Sequence, residues 1–131
     1  MQWMENVIKF FSLFFRSNAF KRNYRTKNLK QLRKINESPR WQIVDIRNGI
    51  AFEEHHLLNA TNIPNTEFAH KFFNLIQKDK HILLVNSDYR SNLNIYKILK
   101  KHHLKVYILF ANYDDIRNNA DFDDLTKVIV Q

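Results

Sequence analysis

Residues 44–64 read VDIRNGIAFEEHHLLNATNIP, and the order of residue types in this stretch decides the architecture. With Trp41 and Ile43 ahead of it, the run through Val44 to Ile46 is β-branched and aromatic, the composition of a strand. A short helical piece is expected around residues 50–55. The residues from Ala60 to Ile63 predict a second short strand, closed by Pro64, which has no N–H to give to a ladder.

Working outward, Thr66 is expected to cap a helix with Phe68, Phe72, Leu75 and Ile76 on one face. Residues 81–85 (HILLV) are a continuous apolar run, as in a strand buried on both faces of a parallel sheet. Ser91 is expected to cap a helix to about Lys101 with Leu93, Tyr96 and Leu99 inward, and residues 106–110 (VYILF) predict another buried strand. Residues 114–118 suggest one helical turn. Residues 122–130 read equally well as a final helix or an edge strand. Upstream, residues 26–35 predict a short helix with Thr26 as N-cap and Leu29, Leu32 and Ile35 three apart. Strands alternating with helices imply an α/β fold, a small mostly parallel sheet flanked by helices. The expected division is an N-terminal amphipathic helix with the start of a basic arm over 1–25, and the α/β domain over 26–131.

Composition narrows the chemistry. The chain has 131 residues, 44% of them hydrophobic, which is enough for one buried core. It has no cysteine, which excludes disulfides, thiolate metal sites and any cysteine nucleophile on this chain. Its one glycine, Gly49, leaves no glycine-rich phosphate loop. The formal net charge is +8, and all of it resides in residues 1–40, where ten basic side chains face only Glu5 and Glu37; residues 41–131 carry 11 basic and 11 acidic groups. A neutral body with a concentrated basic arm points to an anionic partner or surface.

The first sixteen residues differ from the rest. Trp3, Met4, Val7, Ile8, Phe10, Phe11, Leu13, Phe14 and Phe15 are apolar, while Glu5, Lys9, Ser12 and Arg16 recur at helical spacing as one narrow polar stripe. The apolar stretch covers about 14 residues, roughly 21 Å of helix, short of the ~20 residues that cross a bilayer. The pattern suits a helix lying in a membrane interface, with Trp3, Phe10, Phe11, Phe14 and Phe15 toward the acyl region and Lys21, Arg22 and Arg25 toward anionic headgroups. The alternatives are packing on its own domain or on a second copy as a homodimer seam. Nucleic acid is a poor fit, because Tyr24 is the one aromatic among the basic residues of 21–34.

In an open α/β sheet, ligands bind beyond the carboxyl ends of the strands. The loop after the strand at 81–85 is therefore the candidate anion site: Asn86, Ser87, Asp88, Tyr89, Arg90 and Ser91, opening into a helix. Arg90 favours an anion there and Asp88 opposes one. Six histidines raise the question of a metal, but His55–His56 and His102–His103 are adjacent pairs whose side chains diverge, and no i, i+4 carboxylate–histidine pattern occurs. No metal and no cofactor is expected.

In order and spacing, these segments resemble the single-domain rhodanese-like family. Its pattern of D-x-R, an acidic-aromatic turn, then G-H-I-x-G-A-x-N-I-P is matched without a gap by Asp45, Arg47, Phe52, His56, Ala60, Asn62, Ile63 and Pro64, with His55 and Asn59 in place of the glycines. The family's C-R-x-G-x-R-S loop aligns with residues 86–91, where Arg90 and Ser91 match and Asn86 stands at the catalytic cysteine. Its V-Y-x-L-x-G-G-x-x-x-W segment aligns with residues 106–116, with Ala111 and Asn112 for the glycines and Ile116 for the tryptophan. The resemblance covers roughly residues 28–117. It implies a sulfurtransferase fold in which a thiolate carries sulfane sulfur between donor and acceptor. It also implies that Asp45, Arg47, His56, Asn62 and Pro64 order the sheet end. Many bacterial members share the apolar segment followed by a basic run.

Asn86 supplies a neutral amide, which is no nucleophile, so the resemblance implies a pseudoenzyme: a binding or regulatory module, cytoplasmic and peripheral on the inner face of the membrane, with a protein partner or a small anion as ligand. One alternative is a sulfur relay in which a partner protein supplies the cysteine and Arg90 the electrostatics. The other is a self-associating structural protein.

Overall fold

The computed structural model describes residues 2–129, apart from the side chains of Leu13 and Phe14. The expected contact of Phe14 and the end of the 122–130 stretch thus lie outside the described residues. The chain runs α1 (Gln2–Asn23), β1 (Thr26–Lys27), α2 (Leu32–Glu37), β2 (Trp41–Asp45), α3 (Gly49–Glu54), β3 (His55–Leu57) and β4 (Thr61–Asn62). It continues through α4 (Phe68–Leu75), β5 (His81–Val85), α5 (Leu93–Lys101), β6 (Val106–Leu109), α6 (Tyr113–Arg117) and β7 (Thr126–Val128), with 3-10 turns at Leu29–Gln31, Asn65–Glu67 and Ala120–Leu125.

Five strands form one parallel sheet in the order β1-β6-β5-β2-β4, and β3 pairs antiparallel with β7 in a separate ribbon. The apolar runs take the middle of the sheet because both of their faces are covered. Alternation along β5 shows this: Ile82 and Leu84 enter one core with Phe68, Phe72, Ile95 and Leu99, whereas Leu83 and Val85 enter the other with Leu32, Ile116 and Phe122. The first core lies under α4, α5 and the end of α1; the second lies under α2, α6 and the last 3-10 turn. Each fully buried side chain of this size contributes about 1.5–3 kcal/mol.

Several local expectations are corrected. Thr26 does not cap a helix: Thr26 and Lys27 pair with Ile108 and Leu109 as an edge strand. The cap passes to Asn28, whose Oδ1 accepts from the Gln31 N–H while Gln31 Oε1 accepts from the Asn28 N–H. Thr66 lies within a 3-10 turn that precedes α4, and Leu75 is exposed, whereas Phe68, Phe72 and Ile76 are buried. Asn92, not Ser91, is the N-cap of α5, and it sits in the left-handed region at φ 58°, which asparagine tolerates better than most residues. Ile95 joins Tyr96 and Leu99 on the buried face of α5, while Leu93 is half-buried. The undecided C-terminal stretch is both things in turn, a 3-10 segment and then β7 on β3.

The N-terminal helix runs through Asn23, longer than the expected sixteen residues. Its residues 2–12, with Phe15 and Arg16, are exposed. Phe20 is the exception: it is buried in the first core, with its ring centroid 4.7 Å from Tyr24, 5.2 Å from Tyr89 and 5.9 Å from Phe110. Among the described residues, no helix is long and apolar enough to cross a membrane.

Candidate functional site

The central strand β5 delivers loop 86–91 to the carboxyl edge of the sheet, and α5 leaves from it. The free N–H groups of such a loop are its means of holding an anion. Here four of them are already engaged. Asn86 Oδ1 accepts from the Ser87 N–H at 2.7 Å, Asn112 Oδ1 accepts from the Tyr89 N–H at 3.2 Å, and Asp88 Oδ1 accepts from the Arg90 N–H at 2.9 Å. The Ser91 N–H donates to the Asp88 carbonyl at 3.1 Å. Asn86 Nδ2 donates across the loop to Asn92 Oδ1 at 2.9 Å and to the Ser91 carbonyl at 3.3 Å.

The amide of Asn86 therefore satisfies part of the cradle. Arg90 is turned onto Tyr89, with Nε donating to the hydroxyl at 3.0 Å and the guanidinium 5.2 Å from the ring centroid. Beneath the loop, the cavity bounded by Ile46, Leu84, Asn86, Tyr89 and Tyr96 measures about 10 Å³, room for one water at most.

A second cluster forms at the ends of β2 and β4. Asp45 and Arg47 are 1% and 4% exposed. Arg47 Nε and NH2 donate to the Asp45 carboxylate at 3.0 and 2.8 Å, and NH2 also donates to the His55 carbonyl at 2.6 Å. The guanidinium lies 3.5 Å from the Tyr113 ring centroid. Asn62 Nδ2 donates to the carbonyls of Asp45 and Arg47, both at 2.9 Å. Pro64 starts the turn into α4, and the following Asn65 N–H donates to the Ile46 carbonyl at 3.0 Å. His56 stacks on Phe52 at 3.9 Å, and its Nδ1 bonds the Phe52 carbonyl.

Burial pushes the Tyr113 hydroxyl up to about 12, with Asp45 adding to it, so this group stays protonated, and it hydrogen-bonds His55 Nδ1 at 2.7 Å. Burial first, then Arg117 and Arg47, holds His55 below its ordinary value. The Tyr113 N–H donates to the Ser87 carbonyl at 3.2 Å, which ties this cluster to the loop. The arrangement pins the chain. Among the described residues, no group of three or more metal-ligating side chains occurs.

Of the sequence-predicted residues, Asn86 to Ser91 come together in one loop, and Asp45, Arg47 and Asn62 in one hydrogen-bonded set. Sequence reading missed Asn92 and Asn112 as loop partners. The one signal for Asn112 was its place at a family glycine: the added side chain reaches the loop that a glycine would leave open.

The fold is shared with solved structures of low sequence identity. The chain has TM-score 0.65 and 16% identity to the BH2092 protein from Bacillus halodurans, covering 82% of this chain and 81% of that one. It has TM-score 0.66 and 15% identity to the rhodanese-like domain of the Alr3790 protein from Anabaena sp., covering 79% of each. A rhodanese-related protein from Thermoplasma volcanium gives TM-score 0.62 at 17% identity over 70% of this chain and 89% of that one. Among curated proteins nothing matches the chain. Residues 28–120 match the family described as the Rhodanese-like domain, and the chain belongs to that family, as a degenerate member with no cysteine to carry sulfur.

Proposed function

We propose that this chain is a non-catalytic rhodanese-like module, held at an anionic membrane surface by α1 and the basic arm, where its folded body serves as a binding platform for another protein. The observation that carries this reading is the exposure of the apolar face of α1: Trp3 is 67%, Ile8 64% and Phe10 65% exposed, and among the described residues of the helix it is Phe20, near its C-terminal end, that is buried. A contiguous apolar surface of this kind on a folded chain marks a contact with lipid or protein. The basic residues that follow favour the anionic leaflet, which in a cell is the cytoplasmic one. The absence of cysteine removes persulfide chemistry from this chain.

Flotation with phosphatidylcholine–phosphatidylglycerol vesicles tests the reading. The full chain should float, and Phe10→Asp with Phe11→Asp should abolish flotation without lowering thermal stability. Equal flotation of both forms would overturn the role of α1. A concentration-dependent dimer lost in the same variant, with no flotation of either form, would assign the face to a second copy instead.

A further inference from the structure

An open concavity lies away from loop 86–91. It runs between the end of α1 and the last turns of α5, has a volume of about 740 Å³, and is lined by Lys21, Arg22, Arg25, Lys97, Lys100 and Lys101 around Tyr24 and Tyr96. No carboxylate lines it. Among the described residues, none of these six cations forms an ion pair; the ion pairs use Arg33, Arg47, Lys71 and Arg117.

Cations at helix C-termini have an ordinary reason, since they offset the negative end of the macrodipole. That reason falls short here. Two helix ends supply together about one negative charge, against six positive ones. Like charges gathered without counter-charges repel, and an anion in the groove would relieve them.

The groove is also a fixed shape. The Arg25 N–H donates to the Tyr96 hydroxyl at 3.1 Å, and the Tyr24 and Tyr96 rings meet edge to face at 5.1 Å, so the two walls are tied across the floor. Lys97 and Lys101 are one turn apart on the same side of α5, with Lys100 beside them. Lys21, which also lines the groove, has its Nζ 4.7 Å from the Phe110 ring centroid. Along α1, at about 100° per residue, Arg22 comes back to the side of the helix that bears Met4 and Phe11, while the buried Phe20 points to the opposite side. The exposed apolar face therefore ends in cations, as a helix lying in a membrane interface would have it.

We propose that this groove binds the phosphate groups of anionic membrane lipids, seating the folded domain against the headgroups while the apolar part of α1 enters the interface. The inference rests on the membrane reading of α1 and the basic arm, and adds Lys97, Lys100 and Lys101 of α5 to that contact. Six donors of positive charge around two tyrosines suit phosphate oxyanions, and the proximity of the apolar helix selects the lipid-borne form over a soluble one.

The test compares the full chain, the variant Lys97→Gln/Lys100→Gln/Lys101→Gln, and a control of equal charge loss outside the basic arm, Lys78→Gln/Lys105→Gln/Lys127→Gln, in vesicle titrations. All six lysines are exposed, and the groove triple leaves α1 untouched. On vesicles with one-third phosphatidylglycerol the groove triple should lose roughly a hundred-fold in affinity and the control triple several-fold at most. Arg25→Gln, on the other wall, should reproduce part of the loss. Weak residual binding to pure phosphatidylcholine should be equal in all forms, because it comes from α1.

Equal losses in both triples would overturn the groove while leaving the α1 reading intact. Failure of the full chain to bind any vesicle would overturn that reading and this one together. Calorimetry with soluble glycerol 3-phosphate, and binding of a single-stranded oligonucleotide, close the test. Tighter binding of either than of vesicles, lost in the groove triple, would replace the lipid with that ligand.

Discussion

The side-chain amide of Asn86 donates to Asn92 Oδ1 at 2.9 Å and closes loop 86–91 from within. Asn92 is held at φ 58° at the start of α5. With Asn112 and Asp88, this pair takes up backbone donors that an anion would need. A loop so satisfied is stable when empty, which is the physical meaning of degeneracy here: more than the sulfur has been lost.

Replacing Asn86→Cys should therefore not restore sulfur transfer. Asn112 and Asp88 still hold the Tyr89 and Arg90 N–H groups, so the new thiol lacks most of the donors that would stabilise its thiolate. Turnover with a sulfane-sulfur donor is expected at background, and adding Asn112→Gly should raise it only marginally. Brisk turnover by the single variant would show that the cradle is intact. Asn86→Ala should cost about 1–2 kcal/mol in denaturant unfolding, from the orphaned partners.

Arg47→Ala leaves the Asp45 carboxylate buried without its cation and should cost about 3–5 kcal/mol by urea unfolding. Asp45→Leu with Arg47→Met should cost clearly less, because no charge is then left buried. A double variant worse than the single one would indicate that the bonds of Arg47 to the His55 carbonyl and the Tyr113 ring matter more than the charge balance.

Stability should fall as the solution is acidified from neutral pH. His55 and His81 are both held below the ordinary 6.5, chiefly by burial, with Arg117 then Arg47 acting on His55 and Lys105 first among the cations acting on His81. In the window below 6.5 the unfolded chain takes up protons that the folded chain refuses. The stability is thus complete above 6.5 and is lost as pH falls toward the folded values. Melting temperatures across this window should show a positive slope with pH, reduced in His55→Gln and further in His55→Gln/His81→Gln. An unchanged slope in the double variant would assign it to other groups.

Phe20→Ala should cost about 3–5 kcal/mol and release the end of α1 from Tyr89 and Phe110. Limited trypsin digestion should then cut at Lys21 and Arg22 much faster than in the parent chain. Parent-like cleavage would mean that Tyr24 alone holds the helix, through its contact with Tyr96.

Much of the fold could be read locally. HILLV at 81–85 and VYILF at 106–110 announce strands covered on both faces, and Pro64 marks the end of β4. The errors share one cause. Thr26 has a cap's side chain, yet its backbone is taken by Ile108, far along the chain; Ser91 looks like a cap, yet the helix starts one residue later, at Asn92, whose Oδ1 is bonded by Asn86 across the loop. Local propensity lost to pairing that only the folded sheet makes available.

By itself the sequence determined what cannot happen on this chain and which segments could form: without cysteine there is no persulfide, and the periodicity of residues 3–16 makes a helix with an apolar face. Those are properties of atoms present or absent and of spacing along one element. The tertiary structure alone decided that Asn112 reaches Tyr89, that the apolar face of α1 stays uncovered, and that Lys97 and Lys101 share a groove with Lys21 and Arg25. Those are contacts between elements, set by the crossovers of the parallel sheet, and no local pattern encodes where a crossover brings its helix to rest.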